Sequence, residues 1–371
     1  MGAGTPRFAH TGAVPSLRRE QVLAFRVRAQ QLGREGGSVA DTAVLDLGVQ
    51  DTGTDGARWA LAIRGLSDPD PAELATVWTL RGAPHAYRRA DLPGIAAATA
   101  PFSEADAAKR IFDAARPLKA AGIPILTALD TVADRMREIV IAPMVKGEMS
   151  TRLTAVLEEP YLRSCVPCNA IHSYEQPFRL AALRAGLELQ HGTSPPVLQP
   201  VPGLAPAPEV PDRLDVVRGY LRLLGPATPR HVAGYLDAPV NEVQAHWPDD
   251  AVEVSVDGER RWTLDADALD ADQPTGTRLL GPFDLFLQAK DRALLLPDPA
   301  QAKELWRTLG RPGGVLVDGQ IAGTWRARKA GDSVTVSADL WAPAGRDALA
   351  EQAERLAAFR GLRLAELLVS A

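Results

Sequence analysis

The chain has 371 residues, 46% of them hydrophobic, which is enough apolar material for more than one core. Its 41 basic and 46 acidic residues give a net charge of −5, which excludes a globally basic nucleic-acid coat but not a local basic groove. Two cysteines exclude a disulfide framework, no apolar run is long enough for a membrane span, and the N-terminus lacks an export core, so a cytoplasmic protein is expected.

The first helix is predicted over Leu17 to Leu32, where Leu17, Val22, Phe25 and Leu32 fall near helical spacing. A second is expected over Ser38 to Leu47, with a Ser start. Then comes Gly48-Val49-Gln50-Asp51-Thr52-Gly53, ahead of the helix-like stretch Gly56 to Ile63. Its bland reading is a turn plus a helix cap, since Asp and Thr both bond orphan N–H groups. Its sharper reading is a site that holds water, because it offers an amide, a carboxylate and a hydroxyl from adjacent positions. Thr76 to Leu80 reads as a strand, Arg81 to Pro84 as a turn, and His85 to Tyr87 returns. Helices followed by a hairpin are the parts of a winged helix, here spanning 15–100.

Residues 101–192 repeat that theme. Glu104 to Ala115, Leu126 to Ile139, Ser150 to Leu157 and Phe178 to Leu189 read as helices, and Arg163 to His172 as extended. The proline-rich stretch 193–211 excludes helix and central strand and predicts a semi-rigid linker. Residues 212–272 form the clearest winged helix: helices over Leu214 to Leu224, Arg230 to Leu236 and Val240 to Trp247, with Thr228 as cap before Pro229. A hairpin follows around Asp257-Gly258. Residues 273–371 are strand-rich, with a second Asp-Gly hairpin at Asp318-Gly319, a strand over Val334 to Leu340 and a closing helix over Asp347 to Phe359. The expected fold class is α+β: tandem winged helices plus a small C-terminal β-barrel.

Winged helices act mostly on nucleic acid, their hairpins touching phosphate. Arg81, His85, Lys146, Arg152, Arg230, Arg260 and Arg261 are the candidate DNA contacts, although taken singly an exposed Arg merely solvates and His85 reads as structural or surface. Cys165-Val-Pro-Cys168 with His172 resembles half a zinc site; buried thiols are the plainer reading, and no metal is expected. In Phe283 to Arg292, charges alternate with apolar residues; Asp284, Asp291 and Arg292 read as an ion-paired turn rather than groove lining. No phosphate-binding Gly loop, Gly-x-Ser-x-Gly elbow or His-Glu-x-x-His occurs, so nucleotide and serine hydrolysis lack support.

Several motifs then converge in order: Leu47-Gly48-Val49-Gln50, Trp78-Thr79-Leu80-Arg81-Gly82-Ala83-Pro84-His85, the Cys165 to His172 segment, Phe178 to Gly186, the Gly225-Pro226-Ala227-Thr228 turn, and Val317 to Trp325. With these the chain resembles the AlkZ/YcaQ-like winged-helix proteins of bacteria, whose best understood members are DNA glycosylases, over about residues 15–365. The resemblance implies three tandem winged helices and a β-barrel around duplex DNA. It implies hydrolysis of the N-glycosidic bond of bulky or cationic alkylated purines, crosslinked ones included, without a metal or nucleotide cofactor. The expected partner is double-stranded DNA, and a monomer is expected.

The catalytic motif of those glycosylases is Gln, an apolar residue, then Gln or Asp. Gln50 matches the first position; Asp51 stands at the apolar one and Thr52 at the third. Gln50, Asp51 and Thr52 are therefore the candidate catalytic residues. An amide can align water for a leaving group that is already cationic. Thr52 has no usable acid–base pKa, and in an extended segment Asp51 points away from both neighbours. A DNA-binding member without glycosylase activity stays open as the alternative, and a protein-interaction scaffold as a third reading.

Overall fold

The computed structural model describes residues 14–53, 55–166, 169–270 and 272–370. Helices and four sheets alternate along the chain, an α+β architecture. A six-stranded sheet carries the strand that matters most here. Its order is Val49–Gln50, Pro84–Arg88, Leu74–Trp78, Leu187–Leu189, Val197–Pro200, Met144–Val145. This sheet joins the first and second sequence units. It also corrects the proline-rich stretch: Val197–Pro200 is an inner strand, pairing Leu198 with both Leu189 and Met144. Pro196 precedes it and Pro200 ends it, so Leu198 and Gln199 keep their N–H groups for the ladders, while Val197 N–H donates to the Thr193 hydroxyl.

The second helix expected over Ser38 to Leu47 is only a 3₁₀ turn, Ala43–Asp46. Thr42 bonds the Ser38 carbonyl and Ser38 N–H bonds Asp41, so local polar groups hold a loop instead. The helix expected over Phe178 to Leu189 runs Glu175–Arg184, and after a turn at Ala185 and Gly186 the chain becomes the strand Leu187–Leu189. Arg163 to His172 is a hairpin of Leu162–Cys165 and Ala170–Ser173.

The 212–272 segment follows its pattern closely. Helices Val216–Leu224, Pro229–Leu236 and Val240–Ala245 precede the hairpin Val252–Val256/Glu259–Thr263. Thr228 accepts a hydrogen bond from His231 N–H, and Pro229 starts the helix. At the hairpin tip Asp257 and Gly258 have φ of 49° and 86°, the left-handed pair that a tight two-residue turn needs. The N-terminal strand Ser16–Leu17 adds to this hairpin in parallel, opposite Ser255 and Val256.

The C-terminal β-barrel is, among the described residues, an open sheet. Five strands run in the order Thr277–Leu280, Gly313–Val317, Gln320–Ala330, Ser333–Leu340, Arg363–Ser370. The last pair is parallel, so the chain needs a crossover, and helix Arg346–Phe359 supplies it. Its Leu349, Ala353 and Leu356 bury against the sheet, which is covered rather than closed.

One apolar core runs from Leu17 through Tyr220 and Phe286 to Leu356, merging the N-terminal, 212–272 and C-terminal segments. The second unit is built around two smaller cores of its own, near Met136 and Ile111. Among the described residues, two buried bidentate ion pairs cross the large core. Arg64 binds Asp284 at 2.7 and 2.8 Å, and Arg26 binds Asp291 at 2.7 and 3.0 Å. Charges this deep persist only when paired and hydrogen-bonded; Gln30 and the Gly225 carbonyl complete the sets.

Candidate active site

The Gly48–Gly53 segment owes its path to two glycines. Gly48 has φ +89°, and a Cβ there would meet the Tyr87 ring at 2.4 Å. Gly56 has φ +36°, and a Cβ there would lie 2.0 Å from Asp51 Oδ1. Between them, Val49 and Gln50 pair with Ala86 and His85, and Asp51 N–H reaches the Pro84 carbonyl at 2.8 Å. The backbone is thus extended through Asp51, and side chains alternate.

Alternation splits the triplet. Gln50 and Thr52 line a cleft of about 410 Å³, whose other wall includes Phe283, Arg311 and Trp325. Asp51 lines a separate pocket of about 470 Å³ with Arg58, Thr76, Arg89 and Glu188. There its Oδ1 accepts from Ala57 N–H at 2.9 Å, on the first turn of helix Gly56–Ala62. The cap reading therefore fits Asp51, and its carboxylate is spent on the helix start.

In the cleft, Gln50 Nε2 donates to Thr52 Oγ1 at 3.0 Å. Arg81 Nη2 donates to Gln50 Oε1 at 3.3 Å and to Gln288 Oε1 at 2.6 Å, while its Nη1 donates to the Tyr235 carbonyl at 2.7 Å. The Arg81 guanidinium also lies 4.6 Å from the Tyr235 ring centroid. A guanidinium can only donate, so it fixes the amide with oxygen toward Arg81 and nitrogen toward Thr52. Arg81 itself has φ 59°, a left-handed conformation that side chains rarely adopt and that recurs at functional sites. Arg81 is thus a tether inside the site, linking three segments of the chain.

His85 lies directly across the ladder from Gln50 and is fully buried. Its Nδ1 contacts Thr79 Oγ1 at 3.1 Å and the Ala83 carbonyl at 3.0 Å; its Nε2 has no partner. Burial, then the Arg81 charge, pushes its pKa down to about 3. A neutral core imidazole cannot touch phosphate directly, so the structure assigns His85 to the support of the site.

The other expected DNA contacts are scattered. Arg261 is an inward residue of its strand, buried and bonded to Asp291 and Glu259. Its neighbour Arg260 faces outward, paired with Glu253 and 4.9 Å from the Trp262 ring centroid. Arg152 is exposed and paired with Glu148, and Lys146 binds Glu175 at 2.8 Å. Arg230 is exposed. None of these five lines the Gln50 cleft. Sequence reasoning missed Gln288 and Tyr235, whose tie to Arg81 joins residues far apart in the chain and leaves no local signal. In the Phe283 to Arg292 segment Asp284 and Asp291 are ion-paired as read, but Arg292 lies over Trp306 instead.

For the metal candidates, His172 Nδ1 bonds the Ser173 carbonyl at 2.8 Å, and that bond, with Cys165 next, raises the ring's pKa. Cys165 is buried, and Cys168 lies outside the described residues. Among the described residues no group of three His, Cys, Asp or Glu side chains is arranged to hold a metal ion. Nor is any helix there long and apolar enough to cross a membrane.

Comparison with known proteins bears on the whole arrangement. No curated protein matches the chain. Among solved structures, the Streptomyces sahachiroi DNA glycosylase AlkZ superposes with a TM-score of 0.71 over 95% of this chain and 100% of its own, at 22% identity, and so shares the fold. The family model described as DNA glycosylase AlkZ-like matches residues 44–359, a span that opens just before Gln50 and closes at the end of the crossover helix. The chain belongs to the AlkZ-like DNA glycosylase family.

Proposed function

We propose that the protein is a monofunctional DNA glycosylase that hydrolyses the N-glycosidic bond of alkylated purines in duplex DNA, with Gln50 holding the attacking water. The observation that carries this reading is the ordered Arg81–Gln50–Thr52 chain on the wall of a cleft. Gln50 Oε1 and Thr52 Oγ1 each keep a lone pair, and both can accept from one water. Its own lone pair then points at C1′. As the C1′–N bond breaks, its electrons return to the purine, which leaves neutral because alkylation had made it a cation. The water oxygen bonds C1′ and its proton passes to solvent. A leaving group this good needs orientation more than acid–base chemistry, which a Gln–Thr pair supplies without a titrating group.

The winged-helix organisation belongs to the same proposal, with units over 15–100, 101–192 and 212–272 facing the duplex and 273–371 as the last module. The three helices and hairpin of 212–272 support it best. The protein would act as a cytoplasmic monomer. A second reading, DNA binding without base release, draws support from Thr52 at the third motif position and from the capping role of Asp51. The two separate in one experiment. Duplex DNA carrying N7-methylguanine is incubated with the protein and treated with hot alkali. Strand breaks at the lesion are expected; salt-dependent binding with no breaks, beside an active glycosylase control, decides for the second reading.

A further inference from the structure

We propose that Lys290, Arg292 and Arg311 form a binding site for duplex-backbone phosphates beside the Gln50 cleft. The inference rests on the glycosylase reading above and names the groups that would hold its substrate.

The starting point is which cations here are committed to an acid. Arg26, Arg64, Arg88, Arg110 and Arg213 all bind carboxylates. Among the described residues, Lys290, Arg292 and Arg311 form no ion pair. Arg292 and Arg311 are propped on aromatic faces instead, each 4.9 Å from a ring centroid, Trp306 and Phe283 respectively. A ring supports one face of a guanidinium and leaves its edge donors for a ligand.

Their placement forms a continuous border. Arg311 and its platform Phe283 line the Gln50 cleft. Lys290 and Arg292 line a second groove, and Arg292 also borders the surface around Trp306 and Lys303, which shares Thr308 with the Gln50 cleft. Most of the neighbouring acids are engaged elsewhere. Asp291, between Lys290 and Arg292 in sequence, turns inward to Arg26 and Arg261. Glu259 binds Arg261 at 3.0 Å, and Glu304 binds Arg307 at 3.2 Å. Asp257 interacts with Arg19, and Asp237 offsets part of the charge around Lys290. The cations are close enough to oppose one another: burial, then Arg81, with Arg292 and Arg311 adding, pushes Lys290 down to about 8. Lys290 and Arg311 are partly buried and Arg292 is exposed, and like charges crowded together with no ion pair of their own offer a site to an anion. Two guanidinium forks and one ammonium suit phosphate oxygens, bidentate from the arginines and as a point charge from the lysine.

Free inorganic phosphate has the same oxygens, so the experiment carries both arms. Duplex affinity is followed by fluorescence anisotropy over a salt series for the wild type, the triple variant K290Q/R292Q/R311Q and the single variant R292Q. Each lost phosphate contact should lower the slope of log affinity against log salt by roughly 0.9, so by about 0.9 for the single and about 2.7 for the triple variant. The charge-keeping pair R292K/R311K should hold the wild-type slope. Should the triple variant fail to fold, R292Q decides alone. A wild-type slope in a folded R292Q variant overturns the proposal. Saturable binding of inorganic phosphate by calorimetry with an unchanged DNA slope also overturns it, in favour of a small-anion site. A wild-type protein with no duplex affinity at any salt defeats the glycosylase reading itself, a different and separable failure.

Discussion

Two pockets lie on opposite sides of one short strand, and they divide the labour of a three-residue motif. The Gln50 and Thr52 side holds an amide whose orientation is set by a tethered guanidinium. The Asp51 side holds a carboxylate fixed on a helix start. The larger volume and the only acid of the triplet are on the Asp51 side, yet the ordered polar chain is on the other. Volume and charge alone would favour the Asp51 side; the direction of each hydrogen bond favours the Gln50 side, as the proposed function requires.

The contrast breaks most visibly at Gln50. Gln50→Ala should lower the single-turnover rate of base release by about 10²-fold, the size of effect expected when a reacting group loses its position, with the melting temperature nearly unchanged. A variant that cuts at the wild-type rate would remove Gln50 from the mechanism.

The layer behind Gln50 gives a second, pH-dependent difference. His85 has a folded pKa of about 3 against an ordinary 6.5. Between those values the unfolded chain takes up a proton that the folded one refuses, so stability is complete above pH 6.5 and falls on acidification. From pH 7 to pH 5 the loss is about 2 kcal/mol in denaturant titrations. In His85→Gln that part of the slope should vanish, whatever the variant's stability at pH 7. An identical slope in the variant would show that another group carries it.

Arg81→Met tests the tether. It should lower kcat for base release by about tenfold, the worth of one hydrogen bond to a charged group, and less so in Arg81→Lys. A change confined to KM would return Arg81 to simple DNA contact, as its sequence first suggested. The smallest effect is expected across the strand. Asp51→Ala should cost about 1 kcal/mol of stability through the lost cap while the folded protein releases base at the wild-type rate. Loss of activity with stability intact would make Asp51 catalytic after all.

What could be read from the sequence follows how local each determinant is. The Asp257-Gly258 hairpin and the Thr228 cap use neighbours within a few residues, and both formed as read. The alternation of Gln50, Asp51 and Thr52 followed once the segment was known to be extended, but what keeps it extended is pairing with Pro84 and His85. The strand Val197–Pro200 was obscured by prolines before it and at its last position, where they leave the middle of the ladder intact. The inward turn of Arg261 and the platforms under Arg292 and Arg311 depend on partners from other segments, so the sequence offered charge there without saying which charges were committed. The segment Ser38 to Leu47 failed for the opposite reason: its Ser start suited a helix, and local side-chain bonds to the backbone prevailed.

The single apolar core that merges the N-terminal and C-terminal segments has a consequence for recognition. Both walls of the Gln50 cleft belong to that body, Trp59 on one and Trp325 on the other. A hinge between them would have to tear a continuous core and pull Arg64 from Asp284. The walls are therefore a fixed mould, and on the glycosylase reading proposed above a bound duplex would have to bend or unstack to fit it. On that reading, discrimination among sites would follow how easily the surrounding base steps deform, a preference for flexible sequence that needs no side chain to read a base edge.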